Sequence, residues 1–339
     1  MSSCSVEFNA PRDTRYAHTD ERFASTLHVF AREWHGIRSA TACLPGLKLA
    51  VPHERALTGL ELHAIEGLIS RFRVGSVIYQ GYSPTVDGLA KIISTNFGVQ
   101  VRQFAVTHVS PPQFEHLFEL EMLGLLRSAL ANGVLTAVAS VKPGFWKSVA
   151  FVRPATIFNC APTLNPGSSL PGCSDYALVP IENSWRKNLY VNVLAALASN
   201  ARRILCVNEP SRLGEVVEQL DRVAVIGWHS PQELWEIMRS AACVMNVTVT
   251  ECQPMMQLES LAVGTPCLTG RLGIKELSDH EITRLTEVSV LDDPARIGAQ
   301  IDVILQRRRA DEAGLQAGIS DYLRERLKLC IQSYERLLS

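Results

Sequence analysis

The stretch Val249-Thr250-Glu251-Cys252-Gln253-Pro254-Met255-Met256-Gln257-Leu258-Glu259-Ser260-Leu261-Ala262-Val263-Gly264-Thr265-Pro266 decides how the chain is read. Pro254 suits the first turn of a helix, where its missing N–H costs nothing. Met255, Leu258, Leu261 and Ala262 recur at helical spacing and form an apolar face. Gly264 is placed to stop the helix, and Pro266 cannot extend it. Glu251 therefore falls on a loop just ahead of the helix and Glu259 inside it. From Pro254 to Glu259 the axis advances about 8 Å. The unpaired N–H groups at the helix start, those of Met255 and Met256, lie between the two carboxylates and favour an anion such as a diphosphate. A carboxylate on either side would accept hydrogen bonds from hydroxyls at the two ends of a nucleotide-sugar. The same pattern also suits an ordinary amphipathic helix with two solvated glutamates.

Outward from this stretch, apolar runs and helical periods alternate. Upstream, Tyr176–Ile181, Ile204–Asn208, Val223–Ile226 and Val244–Val247 read as strands; downstream, Pro266–Thr269 and Val288–Leu291 do. Helices are expected at Lys187–Ala198, Arg212–Leu220, Pro231–Ser240, Pro254–Val263 and Pro294–Gln306. A charged helix, Asp321–Leu338, closes the chain. Ala161–Cys173, with three prolines and two glycines, reads as a hinge. Before it, strands are expected at Leu47–Val51, Ser76–Tyr79, Val101–Val106, Leu135–Ala139 and Ala155–Phe158. Helices are expected at Phe23–Trp34, Leu57–Phe72, Pro84–Phe97 and Pro112–Asn132. The alternation argues for two α/β domains with doubly wound parallel sheets, over residues 23–165 and 166–320. Residues 1–22 read as a poorly ordered segment and 321–339 as a C-terminal helix.

The 339 residues are 47% hydrophobic and 20% charged, with a formal net charge of −1, so nothing draws the whole chain to nucleic acid. Nine scattered cysteines without a C-x-x-C pair read as buried free thiols in a reducing compartment. No apolar run has the length of a membrane span, and no signal-peptide core opens the chain, so cytoplasm is expected. Arg307-Arg308-Arg309 reads as a solvated helix end, or as a peripheral contact with acidic lipid at the inner membrane face. No Asp-x-Asp, P-loop or G-x-S-x-G occurs.

The quoted stretch resembles the E-x7-E segment of glycosyltransferase family 4, and its Ala-Val-Gly-Thr-Pro ending resembles that family's A-x-G-x-P-V. Val223-Ala224-Val225-Ile226-Gly227-Trp228-His229 is similar to the family's V-x-F-x-G-x-v segment, and Val290-Leu291-Asp292-Asp293-Pro294 to its closing strand and loop. The resemblance implies a GT-B fold, two Rossmann-like domains facing a central cleft. It also implies a retaining, metal-independent transfer from a nucleotide-sugar donor, with no other cofactor, to an acceptor the sequence does not identify. It assigns Glu251 to the donor sugar, Glu259 to the ribose, and Arg186 and Lys187 to the diphosphate. Gly227 and Trp228 would enclose the base, Cys252, Gln253, Met255 and Met256 would line the donor site, and His108 would lie near the reacting sugar. Where the family has Gly-Phe-Gly after the first Glu, this chain has Cys252-Gln253-Pro254, which changes the sugar pocket. A sugar-nucleotide epimerase on the same fold, or a relative that binds without turnover, are the alternatives. Arg186 and Lys187 also stand on elementary grounds: two cations at a helix start oppose its dipole, and a bound anion would offset that cost.

Overall fold

The computed structural model describes residues 7–8, 17–164, 175–213 and 220–339. They fall into two units, the first made of residues 1–163 with 327–339 and the second of 164–326.

In the first unit the strands are Glu7–Phe8 (β1), Thr26–Ala31 (β2), Leu47–Val51 (β3), Ser76–Gln80 (β4), Arg102–Thr107 (β5), Ala137–Ser140 (β6) and Val152–Thr156 (β7). The sheet order is β1-β3-β2-β4-β5-β6-β7, parallel throughout except for β1, which runs antiparallel to β3. Helices His35–Cys43 (α1), Gly59–Arg71 (α2), Pro84–Phe97 (α3) and Leu117–Ala131 (α4) cross between the strands. Local chemistry sets their starts. Thr58 and Glu61 form a reciprocal capping box on α2, and Ser83 caps α3 with Pro84 in its first turn.

One expectation fails here. Phe23–Trp34 is not a helix: Glu21–Phe23 is a single 3₁₀ turn, β2 follows, and the helix of this region is α1. Phe23, Leu27, Phe30 and Trp34 are spaced by four, three and four residues, which imitates a helical stripe. All six residues of β2 are buried, because β2 lies inside a parallel sheet covered on both faces. A strand of that kind carries no alternation to betray it. The segment 1–22 is also held in part. Residues 7–8 pair with β3, and His18 Nε2 lies 2.9 Å from the carbonyl oxygen of Ala161. Residues 1–6 and 9–16 of that expectation lie outside the described residues.

The second unit has strands Tyr176–Val179 (β8), Arg203–Cys206 (β9), Val223–Val225 (β10), Cys243–Asn246 (β11), Cys267–Gly270 (β12) and Glu287–Val288 (β13), in the order β10-β9-β8-β11-β12-β13, all parallel. This is the doubly wound Rossmann order, 3-2-1-4-5-6. Its helices are Leu189–Ala198 (α5), Pro231–Ser240 (α6), Met255–Ala262 (α7), Glu281–Thr286 (α8) and Pro294–Leu338 (α9). The expected helix Arg212–Leu220 falls mostly on residues 214–219, outside the described residues. Alternate strand residues bury two cores. Ala177, Val179, Ile204, Cys206 and Met245 pack with α5 and the start of α9; Leu178, Val244 and Cys267 pack with α6.

The last helix differs from two expectations. Pro294–Gln306 and Asp321–Leu338 belong to one helical run, broken at Asp311, where φ is −157° and ψ 71°. Asp311 acts as the cap of the second segment, its Oδ1 accepting from Gly314 N at 2.9 Å. Arg308 is not solvated. It is buried, donates to the carbonyls of Ala241 (2.6 Å) and Ala242 (2.9 Å), and pairs with Glu312. Arg307 pairs with Asp311, and Arg309 lies 3.7 Å from Asp175. The three arginines therefore do not form an open basic patch, and that support for a membrane contact is gone. Among the described residues no helix is long and apolar enough to cross a membrane.

Candidate functional site

In a doubly wound sheet, ligands bind beyond the carboxyl ends of the strands where the strand order reverses. In the second unit that point lies between β8 and β11. The loop after β8 carries Arg186 and Lys187; the loop after β11 carries Glu251. The structure brings these three together. Arg186 Nη1 donates to Glu251 Oε1 at 3.1 Å, and Lys187 Nζ donates to the same oxygen at 2.5 Å. The side chains are 22%, 20% and 15% exposed, so each is sheltered yet reachable from solvent. One positive charge is left in excess, close to the start of α7.

The two loops are tied by backbone as well. Val249 N donates to Arg186 O at 2.9 Å, and Arg186 Nη1 reaches Thr250 O at 3.4 Å. Asn188 ends the first loop in the left-handed region, φ 58°, and its amide donates to Leu291 O at 2.7 Å. Asn192, fully buried, completes the bracket: its amide donates to Val247 O at 2.8 Å and accepts from Val247 N at 3.0 Å. Asn188 and Asn192 escaped the sequence reading. A signal for Asn192 was present, since it is the one polar residue in Leu189-Tyr190-Val191-Asn192-Val193-Leu194. Arg186 and Lys187 precede α5 in the turn that leads to it and do not begin the helix.

Glu251 lies on the loop and Glu259 within α7, as the spacing requires. Pro254 is the N-cap, and Met255 and Met256 supply the first backbone N–H groups while their side chains pack inward. Gly264, at φ 84°, ends the helix. Burial pushes the Glu259 carboxyl up to about 7, with the Trp235 indole drawing it the other way. The Trp235 contact places the Glu259 carboxyl on the α6 side of α7. Cys252 is buried, and Gln253 is buried with its carbonyl oxygen accepting from the guanidinium of Arg326, itself fully buried. The Gln253 side chain thus takes part in the packing of the second unit.

Gly227, at φ 73°, and Trp228, 75% exposed, follow β10 at the same carboxyl end of the sheet. With β9 intervening, β10 lies about 9–10 Å from β8. The structure therefore keeps them apart from the cluster, at a separation a nucleotide can span. An open groove of about 540 Å³ lies beneath α6, lined by Tyr176, Leu205, Ile226, His229, Glu236, Ile237 and Ser240; it holds none of the residues predicted from the sequence.

His108 belongs to the first unit and directly follows β5, at the carboxyl end of that sheet. Its Nε2 lies 2.9 Å from Gln80 Oε1. Burial pushes its pKa down to about 4, so the ring is neutral near pH 7. Among the described residues no group of three or more His, Cys, Asp or Glu is placed to hold a metal ion. All seven described cysteines are free and buried.

Residues 186–307, all within the second unit, match the family model Glycosyl transferases group 1. The matched segment opens at Arg186 and contains Glu251 and Glu259. No curated protein matches the chain in sequence. Among solved structures, the chain is similar to Anabaena HepE in complex with UDP (TM-score 0.61, 14% identity, 92% of this chain and 99% of that one). It is similar also to sucrose-phosphate synthase from Thermosynechococcus elongatus (0.56, 13%, 92% and 99%). A third is a mutant of S. aureus TarM in complex with fondaparinux, alpha-GlcNAc-glycerol and UDP (0.53, 12%, 81% and 57%). This chain spans 57% of the TarM chain's length. These likenesses define the fold: GT-B, with two Rossmann-like units.

Proposed function

We propose that this protein is a glycosyltransferase that moves a sugar from a nucleotide-sugar to an acceptor hydroxyl, with retained anomeric configuration and without a metal ion. One observation carries the reading: two cations and a carboxylate meet at the switch point of the second unit, inside the segment that matches the glycosyl transferases.

Each residue then has a task. Arg186, Lys187 and the N–H groups of Met255 and Met256 hold the diphosphate. When the bond from the anomeric carbon to the diphosphate oxygen breaks, negative charge grows on the leaving group, and fixed cations stabilise it. Glu259 accepts from the ribose hydroxyls, Gly227 and Trp228 border the base, and Glu251 orients the sugar. The acceptor oxygen bonds to the anomeric carbon, and its proton leaves on the released diphosphate. His108, neutral, is the first-unit side chain that the family resemblance assigns to hydrogen bonding with the donor sugar. Seven free buried cysteines fit a reducing, cytoplasmic compartment.

The test is a panel of nucleotide-sugars with a lysate acceptor, read for transfer and, by thermal shift, for binding. Uridine diphosphate sugars come first, since the HepE and TarM structures hold UDP. Transfer is expected; binding without turnover, or epimerisation of the donor alone, would replace the proposal with the corresponding alternative. Transfer should persist in excess chelator, because Arg186 and Lys187 occupy the role a divalent ion would take. Loss on chelation with recovery on adding magnesium or manganese would overturn that part.

A further inference from the structure

A line of buried polar groups runs through the first unit without serving its apolar core. His28 on β2 pairs in register with Ile78 on the neighbouring β4, and Gln80 lies two residues further along β4 on the same face; His28 and Gln80 are each 1% exposed. Tyr334, on the part of α9 that belongs to this unit, is also 1% exposed and meets His28 edge-on at 5.6 Å. A buried amide in a parallel sheet is costly unless its hydrogen bonds are complete.

The hydrogen bonds fix every proton in the line. His28 Nε2 lies 3.1 Å from the carbonyl of Pro45, which can only accept, so Nε2 carries the proton. The ring is neutral, because burial and the nearby Lys48 ammonium push its pKa down to about 3. Its Nδ1 therefore accepts, and the group 3.0 Å away must be the amino end of Gln80. That nitrogen's second hydrogen goes to the Tyr334 hydroxyl at 2.9 Å. The amide cannot be flipped without facing His28 Nδ1 with a second acceptor. Gln80 Oε1 is thus turned toward His108, and the His108 Nε2 beside it must donate.

We propose that Gln80 is a positioning residue, and that the line Pro45–His28–Gln80, braced by Tyr334, holds His108 in its Nε2–H tautomer with the lone pair on Nδ1. In that tautomer the His108 ring is neutral, an acceptor and not a donor at Nδ1, and takes no part as a cation. For a group beside a reacting sugar, this selects hydroxyl donors over phosphate oxygens. The functional meaning rests on the glycosyltransferase reading; the tautomer itself does not. The titratable groups facing the line are Lys48 from β3 and Tyr334 from α9, while burial alone displaces His108.

The experiment is side-chain ¹⁵N NMR of the full chain without donor or acceptor, the His108 signals being assigned by their loss in His108→Asn. Wild type should show His108 as Nε2–H, uncharged, at every pH from about 5.5 to 8, the range where an ordinary histidine changes charge. Gln80→Leu should mix the two tautomers. Gln80→Glu places a carboxylate against His108 and should bring its titration up to about 6.5 or above. A wild-type proton on Nδ1, a wild-type titration near 6.5, or a folded Gln80→Leu protein with an unchanged spectrum would each overturn the proposal. The wild-type spectrum decides even if a variant does not fold. Because no substrate is present, its outcome is separate from whether the protein transfers sugar.

Discussion

At the residue scale, the Glu251 carboxylate has a second consequence besides orienting a sugar. In the structure it accepts from both cations that the proposal assigns to the diphosphate. A nucleoside diphosphate must therefore displace it. E251Q should bind free nucleoside diphosphate about three- to tenfold more tightly by calorimetry while transfer is largely lost; a charge-assisted hydrogen bond is about twice as strong as a neutral one. Equal affinity would show that the cations are not shared. Glu259 adds a pH dependence. Its carboxyl titrates at about 7, above the ordinary carboxylate range. By linkage, this group favours the folded state at low pH, and the contribution is lost as pH rises through about 7. Ribose hydroxyls need the charged form, so binding should gain between about pH 6 and 8. That gain should vanish in E259Q, the comparison separating it from titration of the diphosphate. E259A should cost about 1.5–3 kcal/mol in diphosphate affinity. The helix that carries Glu259 and the loop that carries Glu251 were legible from Pro254, the apolar spacing and Gly264; the pairing of Glu251 with Arg186 and Lys187 was not, because the loops after β8 and β11 meet only in the fold. Gln80 and His28 were not, since a polar residue in a buried strand acquires its meaning only from the neighbouring strand. The contact of Gln253 with Arg326 was not legible either, because its partner lies far along the chain.

At the scale of elements, α5 and the loops it anchors depend on Asn192. Its side chain spans from the first turn of α5 to the end of β11, and both Val247 groups rely on it. Asn192→Ala would leave a buried N–H and a buried carbonyl without that partner, at about 1–3 kcal/mol each. Chemical denaturation should register that loss, with weaker diphosphate binding as the Arg186 loop slackens. A loss of binding with stability unchanged would show that Asn192 contacts the ligand instead. Arg308 closes the far end of α6 in a comparable way, its guanidinium satisfying carbonyls after the last turn. Arg308→Ala should destabilise by about 1–3 kcal/mol for each of the two buried carbonyls that lose this donor, while Glu312, a third exposed, keeps Gln316. Most helices were readable from caps such as Ser230 and Glu233 and from their periods. β2 was lost to a spacing that fitted the wrong element, α1 was lost with it, and the six-residue α8 was too short to show a period.

At the scale of the whole molecule, both Rossmann-like units were legible from alternation, and the Pro/Gly-rich stretch near residue 165 marked the change. The return of the C-terminus to the first unit was not, because a helical period does not say which core it serves. Residues 327–339 bring Cys330, Tyr334 and Leu337 into that unit, each at most 2% exposed, and Ser333 accepts from Phe158 N. Deleting 327–339 should therefore lower the melting of the first unit and leave the second nearly intact. Calorimetry, or hydrogen exchange read unit by unit, would show it; loss confined to the second unit would contradict the assignment. The same return orders events at the ribosome. The first unit is synthesised almost whole, then waits for its last piece while the 163 residues of 164–326 are made. At roughly 5–20 residues per second that interval is on the order of ten to thirty seconds. During it the nascent N-terminal half leaves the apolar seat of Tyr334 and Leu337 uncovered, while the later half is free to fold first.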